Sequence, residues 1–99
     1  MPMAKRSAIK RARQAQARRL RNVAVKSAMR TAIRNFREAN ASGNIDQAKL
    51  ALQRAIRMVD KAATKGAIHR NQASRRKSRL QRLFNSTQAA AAAKEEQSA

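Results

Sequence analysis

Hydrophobic residues recur at steps of three and four positions along three parts of the chain. The first set is Leu20, Val23, Ala24, Val25, Met29, Ala32, Ile33 and Phe36. The second and most regular set is Ile45, Ala48, Leu52, Ile56, Val59 and Ala63, and the third is Ile68, Ala73, Leu80, Leu83 and Phe84. This spacing is typical of amphipathic helices that bury one face. We therefore predict an all-α fold, an antiparallel three-helix bundle.

Glycine and polar residues mark the ends of the predicted helices. The stretch Ala41-Ser42-Gly43-Asn44 is typical of a turn, with Asn44 as the N-cap of the second helix and Gln47 as its capping-box partner. Gly66 suits the left-handed position that follows a helix. We expect a first helix from about Lys5 to Ala41, a second that ends at about Thr64, and a third that starts between Ile68 and Asn71 and ends at about Asn85.

The first half of the first helix has nothing to pack with. Between Lys10 and Arg19 every residue is Ala, Gln, Lys or Arg, so helix propensity is high but large apolar side chains are missing. At about 1.5 Å per residue, the whole segment would be a rod on the order of 50 Å long. We expect this long N-terminal helix to project from the bundle and to lie on a partner.

The chain is long enough for one small domain, followed by a short tail of different composition. We assign residues 1–86 to a single three-helix domain and residues 87–99 to a low-complexity, Ala-rich tail. The tail alone is too short for a stable helix, so we expect it to be frayed or disordered.

The charge is large and unevenly distributed. Lys and Arg number 24 against 5 Asp and Glu, a formal net charge of +19. No acid interrupts the basic residues from Lys5 to Arg37 or from Lys65 to Arg82, whereas the second helix is close to neutral. Such runs repel internally and need external anions. We predict that the first and third helices form one basic face that binds a polyanion.

The residue inventory narrows the kind of polyanion recognition. Aromatic residues are 2% of the chain, Gly numbers 2, His 1 and Cys 0, so stacking platforms, glycine-rich clamps and zinc fingers are excluded. The inventory also gives no metal site, no cofactor, no small-molecule substrate and no enzyme chemistry. What remains is recognition of nucleic-acid phosphates by Arg and Lys on helices, which does not separate RNA from DNA.

Three other interpretations compete with RNA binding. A nucleoid-type DNA-compacting protein has the same kind of charge. A membrane-active cationic peptide needs a large apolar face, which the stretch from Lys10 to Arg19 lacks, and no stretch is long and apolar enough to span a membrane. Residues 3–30 are Arg-rich, Ala-rich and free of acids, like an organellar transit peptide, but the basic bias continues far beyond any presequence.

A segment that runs from the end of the second predicted helix into the third resembles a known family, and this resemblance favours RNA over DNA. The segment Asp60 to Leu80 reads D-K-A-A-T-K-G-A-I-H-R-N-Q-A-S-R-R-K-S-R-L. It resembles the small-subunit ribosomal protein S20 family of bacterial type, which has the pattern K-G-x-I-H-x-N-x-A-x-R-x-K-S-x-L. Ser7-Ala8, Lys10-Arg11, Asn22 and Met29-Arg30-Thr31 resemble that family's opening helix. The similarity covers about residues 4–85, with the same spacing between segments.

The resemblance implies a function and a set of RNA-binding residues. It implies a structural constituent of the cytoplasmic ribosome that binds small-subunit ribosomal RNA as a monomer within the subunit, with ribosomal proteins as neighbours and no membrane contact. On the first helix we expect contacts from Lys5, Arg6, Lys10, Arg11, Arg13, Arg18, Arg19, Arg21, Asn22, Lys26 and Arg30. On the second patch we expect them from Lys65, Gly66, His69, Arg70, Asn71, Arg75, Arg76, Lys77 and Ser78.

Two of these residues also have structural interpretations. His69 could cap or pack at the start of the third helix instead of meeting RNA, and Gly66 could serve first to let the backbone turn.

Overall fold

Three α-helices make up the protein. The computed structural model describes the backbone of residues 2–98 and the side chains of residues 5–94. Helix α1 spans Pro2–Ala41, α2 spans Ile45–Thr64 and α3 spans Arg70–Ser98, and there is no strand in the described part. The predicted all-α three-helix fold with a long first helix is confirmed. The molecule is elongated, with extents of 81 × 21 × 13 Å.

Asn44, in the turn between α1 and α2, caps the start of α2 as predicted. Gly43 has a φ of +83°, a backbone conformation that glycine adopts without steric cost. Asn44 precedes α2 with extended backbone, and its Oδ1 accepts the Gln47 N–H at 3.2 Å. The Asn44 N–H donates to Ser42 Oγ at 3.5 Å. Ser42 therefore takes the second role of the capping box, which was expected of the Gln47 side chain.

The end of α2 is a Schellman motif centred on Gly66. The Gly66 N–H donates to the Ala63 carbonyl at 3.0 Å, and the Ala67 N–H donates to the Ala62 carbonyl at 2.9 Å. This pair of bonds requires a left-handed residue after the C-cap, and Gly66 has a φ of +76°. The motif satisfies two carbonyls of the last turn and redirects the chain toward α3.

Helix α2 is the central element of the core. It packs against both α1 and α3, whereas α1 and α3 touch over a short stretch only. At that stretch the Phe36 and Phe84 rings lie 6.4 Å apart and tilted, and Asn40 Nδ2 donates to Thr87 Oγ1 at 2.9 Å. The core thus joins the second half of α1 to the length of α2 and to one face of α3.

Several residues expected in the core are exposed instead. Leu20 is 65% exposed, Val23 66% and Leu83 41%, and Ile45 is also exposed. Among the apolar residues of α1, burial begins at half-buried Val25 and becomes complete at Met29, because most of the earlier residues extend past the end of α2. The α2 face is also rotated slightly from the expected stripe. Ala55 and Ala62 are fully buried, whereas Ile56 and Ala63 are half-buried.

Helix α3 continues well past Asn85, where the sequence predicted its end. Residues Ser86–Ser98 remain helical, and alanine, which has the highest helix propensity, fills much of this segment. Thr87, Gln88 and Ala91 are half-buried beside the α1–α2 turn, so the first turns of the extension have packing as well. Frayed or disordered behaviour of residues 87–99 remains a prediction, and Ala99 lies outside the described residues.

Candidate nucleic-acid interface

Residues 5–21 of α1, which we call the α1 arm, form the most basic element. Every residue of the α1 arm is exposed. Its cations are Lys5, Arg6, Lys10, Arg11, Arg13, Arg18, Arg19 and Arg21, and it has no acid. Because successive residues rotate by about 100° around a helix, these positions are spread over its whole circumference. The α1 arm can therefore meet phosphates on more than one side.

The rest of the predicted α1 residues lie where the bundle begins. Arg30 is exposed, and Lys26 is half-buried. Asn22 is also half-buried, and its Oδ1 has no hydrogen-bond partner. These residues share a helix with the α1 arm, so they continue its basic surface onto the bundle.

Lys26 meets the α2–α3 loop across an open groove, which we call the loop groove. Its lining includes Lys26 from α1 with Gly66, His69 and Arg70 from the loop and the start of α3. A Cβ atom built on Gly66 would meet nothing within 4 Å, so the space over this backbone is open. The loop groove is where the structure brings the two predicted patches together, because α1 and α3 share little other contact.

His69 is the N-cap of α3. Its carbonyl accepts the Ala73 N–H at 3.1 Å, and its Nδ1 accepts the Asn71 N–H at 3.1 Å. Ile68 and Ala73 match the positions of a hydrophobic staple, and both are buried. His69 thus has the capping role, and its contact with RNA remains a prediction. An Nδ1 that accepts leaves Nε2–H as the donor of the neutral ring.

Three arginines line a second groove along α3, which we call the arginine groove. They are Arg75, Arg76 and Arg79, with Gln72 beside them. The spacing of three, four and seven residues from Gln72 places all of them on one helix face. Arg79 was missing from the predicted site, although its spacing from the two neighbouring arginines was a signal that could have found it. Lys65, Asn71 and Ser78 of the same patch are exposed.

Lys77 differs from the other predicted cations because it has a partner within the chain. Its Nζ lies 2.8 Å from Asp60 Oδ1, with the two side chains 38% and 52% exposed. Within residues 5–94 this is the one ion pair between side chains. It connects α3 to α2, and at this exposure it contributes at most about 1 kcal/mol to stability. The remaining predicted cations have no carboxylate within 4.0 Å in that part of the chain, so their charge is uncompensated.

Two features that other kinds of site require are absent from the part of the chain that the structure describes. Over the part of the chain that the structure describes, no cluster of three or more His, Cys, Asp or Glu could hold a metal ion. Over the same residues, no helix combines the length and the apolar character that crossing a membrane requires.

Comparison with known proteins gives one consistent result. The family model described as Ribosomal protein S20 matches residues 4–85. A small ribosomal subunit protein bS20 from Heliobacterium modesticaldum is 51% identical over 79 residues, which are 80% of this chain and 90% of that protein. Its counterpart from Syntrophotalea carbinolica is 53% identical, with coverages of 80% and 91%. The one from Thermobifida fusca is 49% identical over 84 residues, with coverages of 85% and 91%.

Proposed function

The chain belongs to the ribosomal protein S20 family, and from this premise we propose that it is a structural protein of the small ribosomal subunit that binds ribosomal RNA. It acts as a monomer in the cytoplasmic ribosome, beside other ribosomal proteins, and uses no cofactor. The family is one of structural proteins, so the chain is not an enzyme. Its contribution is to bind small-subunit ribosomal RNA directly through phosphates and to help fold and hold that RNA.

The observation that carries the proposal is the α1 arm. Eight cations are exposed on this acid-free part of α1, in which no residue is buried against the rest of the protein. A surface of this kind is a cost to the free protein because its like charges repel. Neutralising phosphates releases condensed counterions, which gives each contact a favourable, salt-dependent contribution. The α1 arm therefore gains stability when RNA phosphates surround it.

The loop groove and the arginine groove offer phosphate contacts of a different kind from those of the α1 arm. The loop groove presents Lys26 and Arg70 beside an exposed backbone turn, where a phosphate can approach the chain closely. The arginine groove presents guanidinium groups, which can donate two parallel hydrogen bonds to one phosphate. Because the α1 arm and these grooves lie on different elements, one protein can hold neighbouring RNA segments in register.

A binding competition tests the proposal. Purified protein is titrated against small-subunit ribosomal RNA at near-physiological salt, with excess duplex DNA as competitor. A saturable complex that survives the DNA supports specific RNA recognition. Complete loss of the complex to the competitor would contradict it and favour the alternative, a nucleoid-type DNA-compacting protein.

A charge-matched comparison makes the test specific to the α1 arm. Changing Lys10 and Arg11 to Gln removes two cations from the α1 arm, whereas changing Lys49 and Arg57 to Gln removes two exposed cations from α2. If the α1 arm binds phosphates, the first pair of substitutions should reduce the magnitude of the slope of log affinity against log salt concentration by about two. The second pair should change this slope much less. Equal effects would show that only net charge matters.

A further inference from the structure

A third groove runs between α1 and α2, on the flank of α2 away from the Asp60–Lys77 ion pair. We call it the α1–α2 groove. Its floor is built from small α1 residues, Ala24 and Ala28 among them, and from half-buried Met58 of α2. It extends along α1 from Arg21 to Asn35, which is about 21 Å at the helical rise. None of the residues that line it was expected to bind RNA, except Arg21.

One side of the α1–α2 groove presents a column of polar groups without partners. Ser27, Thr31 and Asn35 lie at intervals of four residues along α1 and are exposed. Some helical hydroxyls bond to the carbonyl four residues earlier, as Thr64 does at 2.9 Å and Ser74 at 3.1 Å. Within the described residues the Ser27 and Thr31 hydroxyls and the Asn35 amide make no such bond. Their hydrogen-bonding capacity is therefore available to a ligand.

The charge around the α1–α2 groove has one sign. Arg21 and Lys61 lie at one end and Arg54 lies toward the other, and no acid is among the lining residues. The free cations favour an anionic occupant, and the length of the groove favours an extended one rather than a single ion. A strand of duplex DNA advances about 3.4 Å per nucleotide, so a nucleic-acid segment on the order of six nucleotides would span this groove.

We propose that the α1–α2 groove binds the sugar–phosphate backbone of an RNA strand. Arg54, Lys61 and Arg21 contact phosphates, while the Ser27 and Thr31 hydroxyls bond to ribose 2′-hydroxyls above the small residues of the floor. The inference rests on the proposed function and extends it to a face of the bundle outside the α1 arm and the other two grooves. RNA is the occupant because the groove starts at Arg21, the last cation of the α1 arm, so RNA held by the α1 arm leads into it.

Paired substitutions on α2 test the role of the rim. Arg54→Gln removes a cation that lines the α1–α2 groove, and Arg57→Gln removes an exposed cation of the same helix that does not. A charge-assisted contact is worth about tenfold in affinity or more, so we expect Arg54→Gln to weaken RNA binding about tenfold and Arg57→Gln to weaken it less than threefold. Thr31→Val in the same assay tests the polar column, with an expected loss of about threefold and unchanged helicity.

A tethered probe tests what lies in the α1–α2 groove. The chain contains no Cys, so Thr31→Cys provides a unique attachment site for an iron chelate that generates hydroxyl radicals, and Gln53→Cys provides a control on the outer face of α2. In the assembled small subunit, the probe at position 31 should cleave a short RNA segment that the probe at position 53 leaves intact. Cleavage of a ribosomal protein there, with intact RNA, would overturn the proposal in favour of an acidic protein partner.

The outcomes separate this inference from the proposed function. If the unmodified protein fails to bind ribosomal RNA in the presence of duplex DNA, the proposed function fails. If it binds, but Arg54→Gln equals Arg57→Gln and the probe at position 31 cleaves no RNA, only the α1–α2 groove is refuted.

Discussion

Replacement of the single histidine should separate a folding role from an RNA-binding role. His69 caps α3 through the bond from the Asn71 N–H to its Nδ1 at 3.1 Å. His69→Ala removes this acceptor and leaves the amide to water, which costs about 1 kcal/mol in comparable caps. In a domain of this size, that loss lowers the Tm by about 4–8 °C. His69→Asn restores a strong capping acceptor, so its Tm should equal or exceed that of the unmodified protein.

A second assay, RNA affinity, measures a loss that the two variants should share. Neither alanine nor asparagine reproduces the imidazole Nε2–H at its position, so a contact from that atom to RNA is lost in both. We expect thermal unfolding, followed by helical circular dichroism, to distinguish the variants, and RNA affinity to fall in both by a similar factor. An unchanged Tm in His69→Ala would refute the capping argument. Full RNA affinity in His69→Asn would show that His69 serves the fold alone.

Four more outcomes follow from the structure. RNA affinity should fall on the order of a thousandfold or more between about 50 and 200 mM salt, and a flat response in a filter-binding series would contradict phosphate recognition. Amide exchange between Lys10 and Arg19 should be fast in the free protein and slow in the complex, whereas strong protection without RNA would show an unseen packing partner. Gly66→Ala should lower stability by about 1 kcal/mol through its positive φ alone, since the added methyl group meets open space; equal stability in denaturant would contradict the strain. Thr87→Val should lower stability by about 1 kcal/mol by leaving Asn40 unpaired, and chemical denaturation that shows no loss would mean that α3 is not held there.

Local signals made much of the fold predictable. Asn44 and Gly66 placed the helix ends correctly because caps and left-handed turns depend on a few neighbouring residues. The exposure of Leu20 and Val23 was not predictable in this way. Periodicity identifies the apolar face of a helix, but how much of that face is covered depends on where the partner helix ends. Ala55 and Ala62 were missed because the predicted face was drawn through Ile56 and Ala63, the residues that directly follow them in the sequence.

In the candidate site, too, local features were predictable from the sequence and features that depend on packing were not. The α1 arm could be read from charge layout because it consists of consecutive residues on one exposed helix. The loop groove brings Lys26 of α1 beside His69 of the α2–α3 loop, and the α1–α2 groove brings Thr31 beside Arg54 of α2. These residues are distant in sequence, so the grooves depend on how the elements pack and could not be predicted from residue spacing. The resemblance placed Lys77 in the RNA-facing patch, but it could not show that Asp60 pairs with this lysine.

The bundle is stabilised by its own core, whereas the α1 arm has no core and carries unneutralised charge. This difference would couple folding to RNA binding. The bundle buries Met29, Phe36 and Val59 and has its own helix caps, so it can position the α1 arm before RNA binds. Helicity in the α1 arm needs no new nucleus, because it continues a helix that is already packed. The repulsion among its cations, which salt screens only in part, is relieved further when phosphates surround them. If the α1 arm binds RNA as proposed, and RNA binds the folded chain more tightly than the unfolded one, the folded chain should become more stable as the RNA concentration rises above Kd. The gain should be concentrated in the α1 arm.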